Sequence, residues 1–181
     1  MTKLTWFIIV TVVVLGIISG FFWLQTRDDS RDNQSVTSQP TAPLMLTVHF
    51  SKSPESYDDF EFTSSVSREV QAGDVYQSAL EQLLAGPTED EQAAGLFNPI
   101  RLAAGSRCDG GGDFTLRLVG EDLTIRFCRQ IESAGIGDDA RVNAVINRTI
   151  EANGDNPPNV IILDANGGCF GDLSGQDNCL N

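Results

Sequence analysis

His49 is the only histidine in the 181 residues, so any Ser-His-Asp or Cys-His catalytic set must pass through it. It alternates with Leu46, Val48 and Phe50, which places it on the far side of a half-buried strand, facing solvent or a partner. No G-x-S-x-G elbow, H-E-x-x-H pair or phosphate loop accompanies it. Asp109-Gly-Gly-Gly-Asp113 is glycine-rich but precedes a strand, with no following Lys-Ser/Thr or helix, so it reads as the lead-in to a hairpin. Carboxylates gather at Asp58-Asp59-Glu61 and at Glu89-Asp90-Glu91. A general acid/base pair needs two such groups beside a substrate pocket. Nothing near either run marks one, and both read as solvated loop charge. The chain is therefore not read as an enzyme, and no cofactor is implied.

Asp164, Asn166, Asp172 and Asp177 lie in the segment DANGGCFGDLSGQDNC and are candidate calcium ligands, because oxygen side chains on a glycine-rich loop suit that ion. Their spacing departs from the EF-hand template, and Asx residues in tight turns account for the same composition. Cys108, Cys128, Cys169 and Cys179 lack the C-x2-C spacing of a zinc site. An even count outside the cytoplasm reads instead as disulfides, with three possible connectivities. A turn at Gly120-Glu121 sets Cys128 opposite Asp113, and the glycines at 110 to 112 let Cys108 fold back to meet it. Cys169 and Cys179 then close a C-terminal loop.

These residues need a scaffold, and the apolar pattern supplies one. Leu44 to Phe50 alternates as a strand, and a second strand falls within Phe60 to Val70. Asp74 caps a helix to Ala85, with Gln77 completing a capping-box-like start and Tyr76, Leu80, Leu83 and Leu84 as its apolar stripe. Gly86 ends that helix in a left-handed conformation, and Pro87 cannot continue it. Phe114, Leu116 and Leu118 face Leu123, Ile125 and Phe127 across the Gly120-Glu121 turn. Gly137 or Asp138 caps a second helix through Ala152, buried along Val142, Val145, Ile146, Thr149 and Ile150. Val160 to Leu163 is a continuous β-branched run, suited to a central or doubly covered strand. The expected fold is α+β, with two helices packed on one face of a small mixed β-sheet.

Leu4 to Leu24 carries no charge and would reach about 31 Å as a helix, enough to span a bilayer. Lys3 precedes it, and Trp6, Phe21, Phe22 and Trp23 flank its ends as interfacial aromatics do. A single-pass anchor with its N-terminus in the cytoplasm is favoured over a cleaved signal peptide, which needs a shorter apolar run and an Ala-x-Ala site. Residues 25–43 are polar, with Pro40 and Pro43, and form a flexible linker with a mean span of roughly 20 to 25 Å. The organisation is thus a cytoplasmic tip at 1–3, the anchor at 4–24, the linker at 25–43, a domain at 44–165 and a disulfide-closed loop at 166–181. Lys and Arg number 12 against 25 Asp and Glu, a net charge of −13, which excludes nucleic acid as a partner.

The run from Ala79 to Ile100, with its Leu-Leu helix end, Gly86-Pro87-Thr88, an acidic stretch, then Gly95-Leu96 before Pro99-Ile100, resembles the GerMN domain, named for a sporulation and germination protein. Leu46-Thr-Val-His-Phe50 looks like the family's first strand and Val66-Ser-Arg-Glu-Val70 like its second. The four cysteines and the C-terminal loop depart from the family, and no immunoglobulin-like second domain follows. The resemblance implies an extracytoplasmic, non-catalytic module similar to ring-building domains, tethered to the bacterial cytoplasmic membrane. It would help assemble or localise a cell-envelope complex by docking an envelope protein or by self-association. Binding of cell-wall glycan or peptide, assisted by calcium in the C-terminal loop, is the alternative. An envelope hydrolase using His49 or a carboxylate pair ranks below both.

Overall fold

The computed structural model describes residues 42–172 and 176–180. The expected tip, anchor and nearly all of the linker lie outside the described residues, as do residues 173–175 of the C-terminal loop. No helix among the described residues is long and apolar enough to cross a membrane.

Strand β1 (Leu44–Lys52) alternates as its sequence requires, burying Leu46, Val48 and Phe50 on one face and turning Met45, Thr47 and His49 to the other. A one-turn helix α1 (Glu55–Asp58) leads into β2 (Thr63–Val70), which pairs antiparallel with β1 in unbroken register from Leu44 opposite Val70 to Ser51 opposite Thr63. Helix α2 (Val75–Ala85) starts where Asp74 accepts the Gln77 backbone N–H at 2.8 Å. The reciprocal arm expected from Gln77 is not made, because its amide donates to Glu81 one turn on. Ala79, Leu80 and Leu83 are buried, with Tyr76 and Leu84 packed at the margin of the core. Gly86 has the expected positive φ, 83°, but its ψ of 178° puts it in an extended region open essentially to glycine alone, not in the left-handed helical one.

After the short helix α3 (Glu89–Ala93), β3 (Leu96–Phe97) pairs with the end of β1, and β4 (Arg101–Leu102) pairs with β7 (Ile131–Glu132). The hairpin of β5 (Phe114–Val119) and β6 (Asp122–Phe127) turns at Gly120-Glu121 and sets Phe114 opposite Phe127, Leu116 opposite Ile125 and Leu118 opposite Leu123, as the apolar pattern demands. Helix α4 (Ile136–Glu151) crosses over to β8 (Asn159–Leu163), which joins β6 in parallel. Its buried face is Val142, Val145, Ile146, Thr149 and Ile150, each as read from the sequence. Burial of each large apolar side chain in the shared core is worth roughly 1.5 to 3 kcal/mol.

The fold is α+β, and three expectations about it are corrected. The strands form not one mixed sheet but three small ones, β2-β1-β3, β4-β7 and the mixed β5-β6-β8. The first stops because the free edge of β1 is closed by side chains of α4 and the residues after it, described below. Strand β8 is terminal in its sheet, with only Ile162 fully buried. Its outer side meets Cys169 and Phe170 of the C-terminal loop, the Phe170 N–H donating to the Ile162 carbonyl at 2.9 Å. Helix α4 begins at Ile136, before either expected cap, and Asp138 sits inside the first turn, where its carboxylate accepts the Ala134 N–H and pairs with Arg101 and Arg141.

Candidate functional site

The loop after α2 is built mainly for backbone geometry. Thr88 caps α3 with a complete capping box, its hydroxyl accepting the Glu91 N–H while the Glu91 carboxylate accepts the Thr88 N–H at 2.8 Å. The same carboxylate meets Arg68 of β2 through two hydrogen bonds of 2.7 and 2.6 Å. Hydrogen bonding from that guanidinium, helped by the Thr88 N–H, lowers the Glu91 pKa to about 2, and Arg68 is raised in return. The reading of the Glu89 to Glu91 run as solvated charge is therefore corrected for Glu91, while Glu89 and Asp90 are exposed. Gly95 has φ 92°, and a Cβ there would lie 2.7 Å from the Ser53 carbonyl, whose residue pairs with it through the Ser53 N–H at 2.9 Å. Leu96 is buried beneath the loop, and Gly86 and Pro87 are partly buried beside the helix end.

His49 is half-buried on the outer face of β1. Its Nδ1 lies 3.0 Å from the Thr63 hydroxyl, and its backbone N–H donates to Thr149 Oγ1. Burial lowers its pKa, the charge of Arg148 adds to that, and Glu151 opposes it. Arg148 and Glu151 belong to a groove of about 380 Å³ that also takes in Glu61, Ala144 and Asn147. All four cysteines are in disulfides, and the Ser51 and Ser56 hydroxyls are fully buried, closed to any substrate. Of the acidic run before β2, Asp59 accepts the Glu61 N–H, and Asp58 and Glu61 face solvent.

The disulfides join Cys108 to Cys128 and Cys169 to Cys179. The hairpin brings the first pair together as the register required, with the Cys128 N–H donating to the Asp113 carbonyl at 2.9 Å. In the C-terminal loop, Asp164 Oδ1 accepts the N–H groups of Asn166 and Gly168, and Asp177 Oδ1 accepts that of Cys169. These are turn-forming bonds. Asp164 and Asp172 line a shallow pocket with Asp139, whereas Asn166 is exposed, and no group of three or more His, Cys, Asp or Glu among the described residues is arranged to hold a metal.

Two surface features were not read from the sequence. A cleft of about 720 Å³ at the hairpin tip is lined by Tyr76, Leu118, Glu121 and Pro157-Pro158. Tyr57, Phe60 and Phe62 are 60, 40 and 36% exposed and interleave with Asp58, Asp59 and Glu61. The alternation of aromatic and acidic residues from 57 to 62 was the available signal for the second. The cleft joins segments far apart in the chain and had none. No protein-family model, curated protein or solved structure matches the chain.

Proposed function

We propose that residues 44–165 form a GerMN-like, non-catalytic interaction domain. It is held outside the bacterial cytoplasmic membrane by residues 4–24 and assists assembly or localisation of a cell-envelope complex of the kind found in sporulation. The observation that carries this reading is the outer edge of β2, an eight-residue strand at the end of its sheet with no strand beside it among the described residues. An unpaired edge of this length is a template for another chain. The catalytic alternative has less behind it, since the hydroxyl bonded to the His49 ring is that of Thr63, partly buried on β2, and no carboxylate among the described residues is hydrogen-bonded to the ring to complete a triad. The test is purification of the full chain in detergent, followed by crosslinking and capture from its own envelope fraction. A specific captured envelope protein or a defined oligomer supports the reading; a monomer that captures nothing overturns it.

Binding of wall glycan or peptide is the second reading, and the hairpin-tip cleft favours it, because Tyr76 and Leu118 offer an apolar platform beside Glu121. Sedimentation with isolated wall material, with and without a chelator, tests it. Loss of co-sedimentation on Tyr76→Ala supports the cleft, and loss on chelation supports calcium in the C-terminal loop.

A further inference from the structure

The backbone of β1 fixes which groups of β2 face outward. Thr47 and His49 turn their N–H groups toward Asn153 and Thr149, so Leu46, Val48 and Phe50 direct theirs at β2, opposite Arg68, Val66 and Ser64. The N–H and C=O groups of Thr63, Ser65, Ser67 and Glu69 therefore point away from the sheet. No strand among the described residues pairs with them, and the Ser67 carbonyl accepts a long bond of 3.4 Å from Arg68 Nη1, which a partner's N–H would replace. Two of the usual guards are absent, since β2 has no proline and no bulge interrupts its register, and its charged residues are Arg68, tied to Glu91, and the exposed Glu69. Other edges are treated differently. The free edge of β1 is closed by Asn153 and Thr149, β8 is met by Cys169 and Phe170, and β5 is shorter and carries the exposed Arg117.

The approach to this edge has its own chemistry. The segment leading into β2 is ordered by the Phe62 N–H donating to the Asp59 carbonyl, and it exposes Tyr57, Asp58 and Phe62, while Glu61 lines the groove along helix α4. Phe60 in the same segment already stacks under a guanidinium, with the Arg141 carbon 4.6 Å from its ring centre. At the far end Glu69 is exposed, while the strand's only cation, Arg68, is neutralised by Glu91. Aromatic faces and carboxylates together select cations.

We propose that the outer edge of β2 receives an extended, Lys/Arg-bearing segment of a partner protein as an added strand, with Tyr57, Phe62, Asp58 and Glu69 taking its cations. This rests on the reading of the domain as an interaction module and names the partner's chemistry. A second copy fits less well, because antiparallel β2-to-β2 pairing sets the Asp58 to Glu61 loop of each copy toward Glu69 of the other, in a chain of net charge −13.

The full chain in detergent micelles is titrated with a fluorescent synthetic peptide of about ten residues alternating Lys with Val and Thr. Two control peptides go with it, one N-methylated at alternate backbone nitrogens and one with Glu in place of Lys. The basic peptide binds saturably and protects the Ser65 and Ser67 amides from exchange. Affinity falls at least about tenfold on N-methylation, in Ser67→Pro and in the double variant Asp58→Asn, Glu69→Gln, and the acidic peptide does not bind. Absence of saturable binding, or equal binding of the N-methylated or acidic peptide, overturns the proposal without any change to the protein. Protection of Ser65 and Ser67 in the peptide-free chain also overturns it, assigning the edge to a second copy if the chain is dimeric and to residues 27–41 if monomeric. If an envelope protein is captured equally by wild type and Ser67→Pro, the edge proposal fails while the interaction reading stands.

Discussion

The side-chain amide of Asn153 engages both backbone groups of Thr47, its Oδ1 accepting the Thr47 N–H at 2.9 Å and its Nδ2 donating to the Thr47 carbonyl at 2.6 Å. A residue that stops helix α4 thereby does the work of a neighbouring strand on the free edge of β1. Nδ2 also donates to the Thr149 carbonyl, and the Thr149 hydroxyl accepts the next outward N–H, that of His49. The helix end and the sheet edge satisfy each other's unpaired groups.

Asn153→Ala removes three hydrogen bonds at once and is expected to destabilise the domain by about 2 to 4 kcal/mol. Asn153→Asp tests the geometry more sharply. A carboxylate keeps the acceptor for Thr47 N–H but turns toward two carbonyls it cannot bond, so its cost matches or exceeds that of alanine. Urea denaturation of both variants decides this; an aspartate variant as stable as wild type shows that the two Nδ2 bonds contribute nothing.

The Arg68–Glu91 pair predicts an acid-sensitive link between β2 and α3. The Glu91 pKa is lowered in the folded state, so the link's contribution is fully present above the unfolded value of 4.5 and is lost as pH falls from there toward about 2. Glu91→Gln should destabilise by about 1 to 2 kcal/mol at pH 7, losing the charge-assisted bonds to Arg68 while its amide oxygen can still accept the Thr88 N–H. The gap to wild type should narrow steadily below pH 4.5. A gap independent of pH assigns the loss to the shape of the side chain and not to its charge.

The hairpin and the helix stripes were legible because period and burial coincide in them. Phe114, Leu116 and Leu118 have one register that pairs them with Leu123, Ile125 and Phe127, and that register carried Cys128 to Asp113 and fixed the first disulfide. Glu91 was misread because its local sequence is that of a solvated acidic turn, and the residue that neutralises it lies across the fold on β2. The division into three sheets was hidden for a related reason. A strand edge closed by Asn153 and Thr149 leaves no mark in the strand's own alternation. The exposed aromatics at 57, 60 and 62 break the rule that apolar spacing marks a core, so spacing alone does not assign them, and they bear on function instead.

Two glycines in the family-like loop are needed for different reasons. Gly86 has a positive φ but open space where a Cβ would stand, so Gly86→Ala carries only backbone strain, about 1 to 3 kcal/mol. Gly95→Ala adds a Cβ 2.7 Å from the Ser53 carbonyl and must also displace the β1–β3 junction. Its cost should exceed that of Gly86→Ala in thermal melts. Equal losses would mean that the loop relaxes away from Ser53 without penalty.

His49 gives the last test, at the other end of the pH scale. Its folded pKa is lowered below the unfolded value of 6.5, chiefly by burial and then by Arg148, so the folded state binds the proton less readily than the unfolded chain. Stability is therefore unaffected above pH 6.5 and falls as the pH drops through the interval between 6.5 and the lower folded value, levelling off below it. Replacement by glutamine removes the titration while retaining a polar side chain able to reach the Thr63 hydroxyl. The His49→Gln protein should show a flat profile between pH 7 and pH 5, and the wild type a decline. If both decline alike, the proton is taken up elsewhere in the fold and the partial burial of His49 on the β1 face has no thermodynamic weight.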